Sequence, residues 1–245
     1  MFDSSPTNKS TGFEQYNPTS EIGKELPTIV EKLKLSEDVY SFCLRLTPYK
    51  VNTRILFSKS SYEAAVIDPG GEGQKILEAL NLLGAKKVSV WLTHSHPDHC
   101  GAVWLIKDKT GASIYGSGHE AERYMRSSVE RFVADAKLQI PSMRNCPEVD
   151  KALLDGEILN LGNLNFTVIE TPGHSPGHLC FYSEEAKTLL SGDLVFARAL
   201  APTDIRGADP QLFMRTLKML KERLPADTKS LAGHGRSILL GNWTF

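Results

Sequence analysis

The sequence predicts a mixed α/β domain built from two mixed sheets with helices on the outside. Three observations carry that expectation. Strand-like segments outnumber helical ones, the helices alternate with them only loosely, and Val88-Ser89-Val90-Trp91-Leu92 forms a continuous apolar run expected of a strand covered on both faces. A doubly wound parallel sheet would instead show regular strand–helix alternation.

Residues 1–36 are rich in Ser, Thr, Asn, Pro and charge and read as a loosely ordered extension, with one short amphipathic piece at about Glu21 to Leu33. The body, residues 37–245, begins with β-like segments at Val39–Leu44, Arg54–Phe57 and Ala64–Ile67, the last closed by Asp68-Pro69-Gly70-Gly71. From Gln74 to Leu83, Ile76, Leu77, Leu80 and Leu83 recur at helical spacing, and Gly84 is placed to end the helix. The Val88–Leu92 strand is followed by a helix over Ala102 to Lys109. A longer polar helix is expected from about His119 to Lys137, with Arg123, Arg126, Glu130 and Arg131 on its solvent side. The second half continues with strands at Asn165–Ile169, Leu179–Tyr182 and Thr188–Leu190, a helix from Pro210 to Arg223 and a strand at Lys229–Leu231. The two halves share a ββ…α style.

Composition excludes several classes. With 245 residues, 41% hydrophobic and 23% charged, the chain can bury a sizeable core, and its formal net charge of -1 gives no sign of a nucleic-acid or membrane-surface partner. The four cysteines, Cys43, Cys100, Cys146 and Cys180, form no CxxC pair and read as reduced thiols. The first residues lack a signal-peptide pattern and no stretch approaches 18 apolar residues, so a cytoplasmic location is expected.

The chemistry concentrates in Thr93-His94-Ser95-His96-Pro97-Asp98-His99, directly after the apolar strand. Three imidazoles and a carboxylate lie where α/β sheets place their ligands, beyond the carboxyl end of a strand. His94 and His96 alternate about one residue and can turn to one centre, while Asp98 and His99 begin the next helix and can face another. Imidazole and carboxylate suit zinc, iron or manganese. His174, Asp193 and His234 each stand beside glycine at the end of a β-like run, where the backbone can approach a crowded centre.

On these residues the sequence resembles the metallo-β-lactamase superfamily, whose motifs occur in order as Asp68, His94-x-His96-x-Asp98-His99, His174, Asp193 and His234. The resemblance spans about residues 37–240. It implies a four-layer αββα sandwich with two divalent metal ions at one edge, zinc first, with iron or manganese accepted. It places His94, His96 and His174 on one ion and Asp98, His99 and His234 on the other, with Asp193 bridging. It makes Asp68 an acid that orients a ligand imidazole, against the plainer reading of an Asp-Pro-Gly turn. It gives His178 a buttressing rather than a ligating role. Thr171-Pro172-Gly173-His174-Ser175-Pro176-Gly177-His178 and Ser191-Gly192-Asp193-Leu194-Val195-Phe196 are similar to segments of the glyoxalase II-like (hydroxyacylglutathione hydrolase-like) branch. Asp193 and the Asp98-His99 pair look unlike the lactam-hydrolysing enzymes.

Two departures stand out: Ala201-Pro202 replaces the branch's usual Gly-Arg, and only 11 residues follow His234, too few for the C-terminal helical domain that supplies much of glutathione binding. The implied activity is hydrolysis of a small acyl thioester by a hydroxide held between the ions, with Asp98 both ligand and proton acceptor. A lactone would serve similarly. Tyr182, Phe196 and Arg198 follow ligand positions closely and are candidates to line the pocket; otherwise the aromatics are core and Arg198 a solvated charge. His119 reads as a surface residue and Cys100 as small packing. Alternatives are a mono-iron oxidoreductase like the persulfide dioxygenases, a nuclease of the superfamily and a non-catalytic metal-binding domain. The expected partner is a small-molecule substrate, with no nucleic acid and no membrane; oligomeric state is left open.

Overall fold

The computed structural model describes residues 29–119 and 143–245. Its first half builds one seven-stranded sheet in simple order: β1 (Ile29–Lys34), β2 (Val39–Leu46), β3 (Val51–Ser58), β4 (Glu63–Ile67), β5 (Lys87–Trp91), β6 (Ser113–Ser117) and β7 (Lys151–Leu153). Pairing is antiparallel from β1 to β4 and parallel from β4 to β7. Helix α1 (Gly73–Leu82) connects β4 to β5, and α2 (Pro97–Cys100) and α3 (Val103–Thr110) connect β5 to β6, as parallel pairing requires. The second half builds a six-stranded sheet from β8 (Ile158–Leu161), β9 (Leu164–Glu170), β10 (Leu179–Ser183), β11 (Thr188–Gly192), β14 (Lys229–Ala232) and β15 (Ile238–Leu239). A hairpin of β12 (Val195–Phe196) and β13 (Ala199–Leu200) leads to α4 (Pro210–Arg223).

The period-2 alternation of the strands sorts side chains into three apolar layers. On β3, Ile55 and Phe57 face the helices α1 and α3, whereas Leu56 faces the second sheet. On β11, Leu190 joins Leu56, Trp91, Phe166 and Phe181 between the sheets, whereas Leu189 packs with Phe213, Leu217 and Leu220 of α4. Helix, sheet, sheet, helix is therefore the layer order, an αββα sandwich with the fully buried rings of Trp91, Phe166 and Phe181 between its sheets.

Several expectations need correction. The domain begins before residue 37: Ile29–Lys34, read as part of the extension, pairs antiparallel with β2. Its alternation half-buries Ile29, Glu31 and Leu33 and leaves Val30, Lys32 and Lys34 exposed, the pattern of an edge strand. Residues 1–28 of the extension and the helix expected from His119 to Lys137 lie, apart from exposed His119, outside the described residues. Strand β5 is not covered along its whole length. Val90 and Trp91 are buried, but Lys87 is exposed and Ser89 half-buried, because the second sheet ends at β8 and leaves a crevice of about 250 Å³ over the start of β5. Strands β6, β7, β8 and β15 and the β12–β13 hairpin carry no clear alternating signal; they are two to five residues long and owe their conformation to neighbours.

Candidate metal centre

The candidate ligands and Asp68 lie past the carboxyl ends of strands at one edge of the sandwich: Asp68 after β4, His94 to His99 after β5, His174 after β9, Asp193 after β11 and His234 after β14. The loop after β5 is short because Pro97 starts α2 immediately. His96 is the extended residue before the helix, and Asp98 and His99 are carried on its only turn.

Four imidazoles are held alike. His94 Nδ1 is 2.9 Å from the Thr93 hydroxyl, His99 Nδ1 donates to Asp68 Oδ2 at 3.0 Å, His174 Nδ1 to the Pro202 carbonyl at 2.8 Å and His234 Nδ1 to the Tyr49 carbonyl at 3.0 Å. With each Nδ1 so engaged, each Nε2 turns a lone pair inward. His99 Nε2 and His234 Nε2 stand 3.3 Å apart, and His174 Nε2 is 3.0 Å from His96 Nδ1. Two triads result, His94–His96–His174 and Asp98–His99–His234, each with donor atoms within 4.8 Å of one another. Asp193 lies between them, Oδ1 3.4 Å from His99 Nε2 and Oδ2 3.6 Å from His174 Nε2 and 3.7 Å from His234 Nε2.

Lone pairs pointed at one another call for cations between them. Consistently, His94 Nε2 and Asp193 Oδ1 are buried and make no hydrogen bond. The donors are imidazole nitrogens and carboxylate oxygens, which suit borderline and hard divalent ions. The residues therefore fit a metal centre.

A third grouping, Asp68–His94–His99, is a different matter. Asp68 Oδ1 accepts from the Thr93 amide at 2.8 Å, and Oδ2 accepts from the Thr93 hydroxyl at 2.7 Å as well as from His99. Its oxygens are occupied, so Asp68 orients His99 and, through Thr93, His94. It adopts a left-handed backbone at φ 50°, a conformation Asp tolerates better than most residues. His178 likewise has both ring nitrogens engaged: its Nδ1 meets the Thr171 hydroxyl at 2.8 Å and its Nε2 accepts the Asp193 amide at 3.1 Å, fixing the loop that presents Asp193.

Charge follows from this packing. Burial, reinforced by His99 and His96, holds His94 well below the usual imidazole pKa, and burial lowers His174 to about 4. Burial also works against protonation of His99, but Asp193 and Asp98 beside it carry its pKa well above the usual value. Burial favours a neutral Asp193, yet His99, His234 and His174 hold its carboxyl well below the carboxylate range. Asp193 is thus a carboxylate between neutral His94, His96 and His174 on one side and His99 and His234, whose pKa values are raised, on the other.

Two glycines are demanded by crowding. At Gly192 (φ 47°) a Cβ would come within 2.6 Å of both His178 Nε2 and Thr93 Oγ1, and at Gly233 it would strike Asp193 Oδ1 and lie 2.7 Å from His99 Cε1.

Of the candidates for the pocket, Phe196 and Arg198 line a cavity beside the cluster, the Phe196 ring meeting His234 edge-on at 5.6 Å. Tyr182 does not; it packs against the apolar layer under α4, because β10 turns it to the outer face of its sheet. Cys100 is buried, with its thiol 3.4 Å from the Ser95 carbonyl. The carbonyls of Tyr49 and Pro202, which fix His234 and His174, had no signal in the sequence, since any residue supplies a carbonyl. Thr93 and Thr171 lay inside the quoted motifs, but their hydroxyl roles needed coordinates.

The match to known proteins agrees with this geometry. The model of the metallo-beta-lactamase superfamily matches residues 59–234, and the chain belongs to that superfamily of metallo-hydrolases, whose members bind divalent metals. Hydroxyacylglutathione hydrolase GloC of Haemophilus influenzae is 29% identical over 202 residues, 80% of this chain and 91% of that one. Among solved structures, a protein in a di-iron-bound form is 30% identical with a TM-score of 0.71, covering 82% of this chain and 95% of that one. The BLEG-1 B3 metallo-beta-lactamase is 28% identical with a TM-score of 0.72, covering 82% and 94%. Among the described residues no helix is long and apolar enough to cross a membrane.

Proposed function

We propose that this chain is a dinuclear metal-dependent hydrolase of small acyl thioesters. The observation that carries the reading is the pair of inward-facing donor triads with the ionised Asp193 between them. His94, His96 and His174 would hold one divalent ion, Asp98, His99 and His234 the other, and Asp193 both. Zinc is the first choice for these donors, with iron or manganese able to replace it. When bound, the ions supply Lewis acidity and a water ionised near neutral pH.

The residues of the chain do the rest. Thr93, Asp68, Pro202 and Tyr49 hold the Nδ1 side of His94, His99, His174 and His234, so that Nε2 is the atom each ring would offer to an ion. Asp98, less deeply buried than Asp193 and with its Oδ2 3.3 Å from His234 Nε2, is placed to receive the proton as water adds to the carbonyl carbon and the C–S bond breaks. The sulfur leaves as thiolate. Because thiols ionise at about 8.5, departure needs no strong proton donor. Support for a thioester over other carbonyl compounds comes from the likeness to GloC and from the Thr171–His178 segment. The likeness to BLEG-1 supports lactams as a second class to be tested.

Elemental analysis of native protein, combined with a panel of thioesters, lactones and lactams, tests the proposal. Two divalent ions per chain with thioester turnover are expected, and His96→Ala should lose metal and turnover together. A single iron with oxygen uptake would replace the hydrolase reading, and full activity in His96→Ala would refute the assignment.

A further inference from the structure

Beside the donor cluster, on the His234 side, a cavity of about 430 Å³ is lined by Phe196, Ala197, Arg198, Ala199, Gly235 and Arg236. That volume suits part of a small organic ligand. Its two walls hang directly from ligand positions. Asp193 runs through Leu194 into β12, so Arg198 stands in the two-residue tip of the β12–β13 hairpin. Arg236 stands two residues beyond His234, where Gly235, with φ 75°, turns the chain. Phe196 forms the inner wall against His234. Anything seated in the cavity is therefore within reach of the cluster.

Apart from these two guanidinium groups, the lining is methyl, glycine backbone and one aromatic ring. Among the described residues neither Arg198 nor Arg236 has a carboxylate partner, whereas Arg54 is paired with Glu31 at 2.8 Å. Behind the same loop, Arg45 Nη2 donates to the Gly235 carbonyl at 3.3 Å and adds further positive charge. The acids nearby, Asp98 and Asp193, face the histidines. The cavity thus joins an apolar floor to two uncommitted cations, the complement of an organic anion.

We propose that Arg198 and Arg236 are specificity-determining residues that bind a carboxylate or phosphate carried by the substrate some bonds away from the carbonyl attacked. The choice of carbonyl rests on the thioesterase reading; the charge preference does not.

The test holds chemistry constant and moves the charge. Acetyl thioesters of 3-mercaptopropionate and of neutral N-acetylcysteamine place or omit a carboxylate on the thiol half, and succinyl-N-acetylcysteamine places it on the acyl half. Metal-loaded wild type should favour one anionic compound over the neutral one, and the compound favoured identifies the half. In the Arg198→Ala/Arg236→Ala double variant that ratio of kcat/KM should fall, on the order of tenfold for each arginine, through KM. Arg198→Glu/Arg236→Glu should invert it, and the double lysine variant should retain most of it. Both positions are exposed, and thermal midpoints verify folding. Unchanged ratios in the double alanine variant would overturn the proposal. If wild type cleaves no thioester, the catalytic reading falls by itself. Calorimetry with 3-(benzylthio)propionate and its neutral amide then decides: an advantage of the acid that disappears in the double variant supports the arginines, and equal binding of acid and amide to wild type overturns them.

Discussion

Asp68 shows how much of the centre depends on a residue placed to touch no ion. Its carboxylate accepts three hydrogen bonds from Thr93 and His99 while its own backbone sits in the left-handed region. Asp68→Asn keeps the shape but turns one acceptor into a donor, so either the Thr93 amide or the His99 Nδ1–H loses its partner. Metal affinity of the Asp98–His99–His234 triad should drop about 10–100-fold, read by titrating stripped protein with zinc. Unchanged affinity would mean that Asp68 serves only its turn. Gly233 is constrained from the opposite direction: space beside Asp193 and His99, rather than conformation, forbids a side chain there, since its φ is not positive.

At the scale of elements, the edge strand β1 is tied to the loop that carries His234. Arg54 on β3, only 3% exposed, pairs with Glu31 of β1 and lies 3.4 Å from the Ser237 hydroxyl, three residues beyond His234. Glu31 also accepts from Ser237 at 3.2 Å. Glu31→Ala leaves a guanidinium buried without its counter-charge. With Glu31 part-exposed, a loss of roughly 3 kcal/mol is expected in urea unfolding. A change below about 1 kcal/mol would show that water replaces the carboxylate. Helix α4 was the easiest element to predict, because Asp209 caps it through the Gln211 and Leu212 amides and Pro210 opens it. Strand β7 could not be predicted: its three residues are a strand only because β6 lies parallel beside them.

Across the whole molecule, the cluster joins the two sheets at their shared edge, so its protonation acts on global stability. In metal-stripped protein, His94, His96, His174 and His178 have lowered folded pKa values. The unfolded chain binds more protons at these positions below about pH 6.5, so their neutral forms lose stability as pH falls from there. The lowered pKa values of Asp98 and Asp193 add a further loss at lower pH. His99 and His234 are raised; their contribution is full below about 6.5 and is lost as pH climbs through their folded values. Stability without metal should therefore peak near neutrality and fall more steeply on the acid side, as four histidines outnumber two. Thermal midpoints between pH 4 and 9 measure it, and a midpoint that rises without a maximum to pH 9 would contradict this assignment of charge. Adding zinc at neutral pH should raise the midpoint if the donors take it up, because ions bind the folded arrangement in preference to the open chain.

The sequence by itself determined the chemistry and the layer pattern. Six of the seven histidines, together with Asp68, Asp98 and Asp193, lie next to β-like runs and are flanked by turn residues, and the β-like and helix-spaced runs marked the longer strands and helices. Those signals are local, so they survive in one dimension. Tertiary structure alone decided which nitrogen each histidine presents, because the choice depends on oxygens as distant as Tyr49 and Pro202. It also decided that Tyr182 faces helix α4 rather than the pocket and that Arg198 meets Arg236 across one cavity. Those outcomes are set by which strand ends converge at the sandwich edge, and convergence is a property of sheet packing that no short stretch of residues encodes.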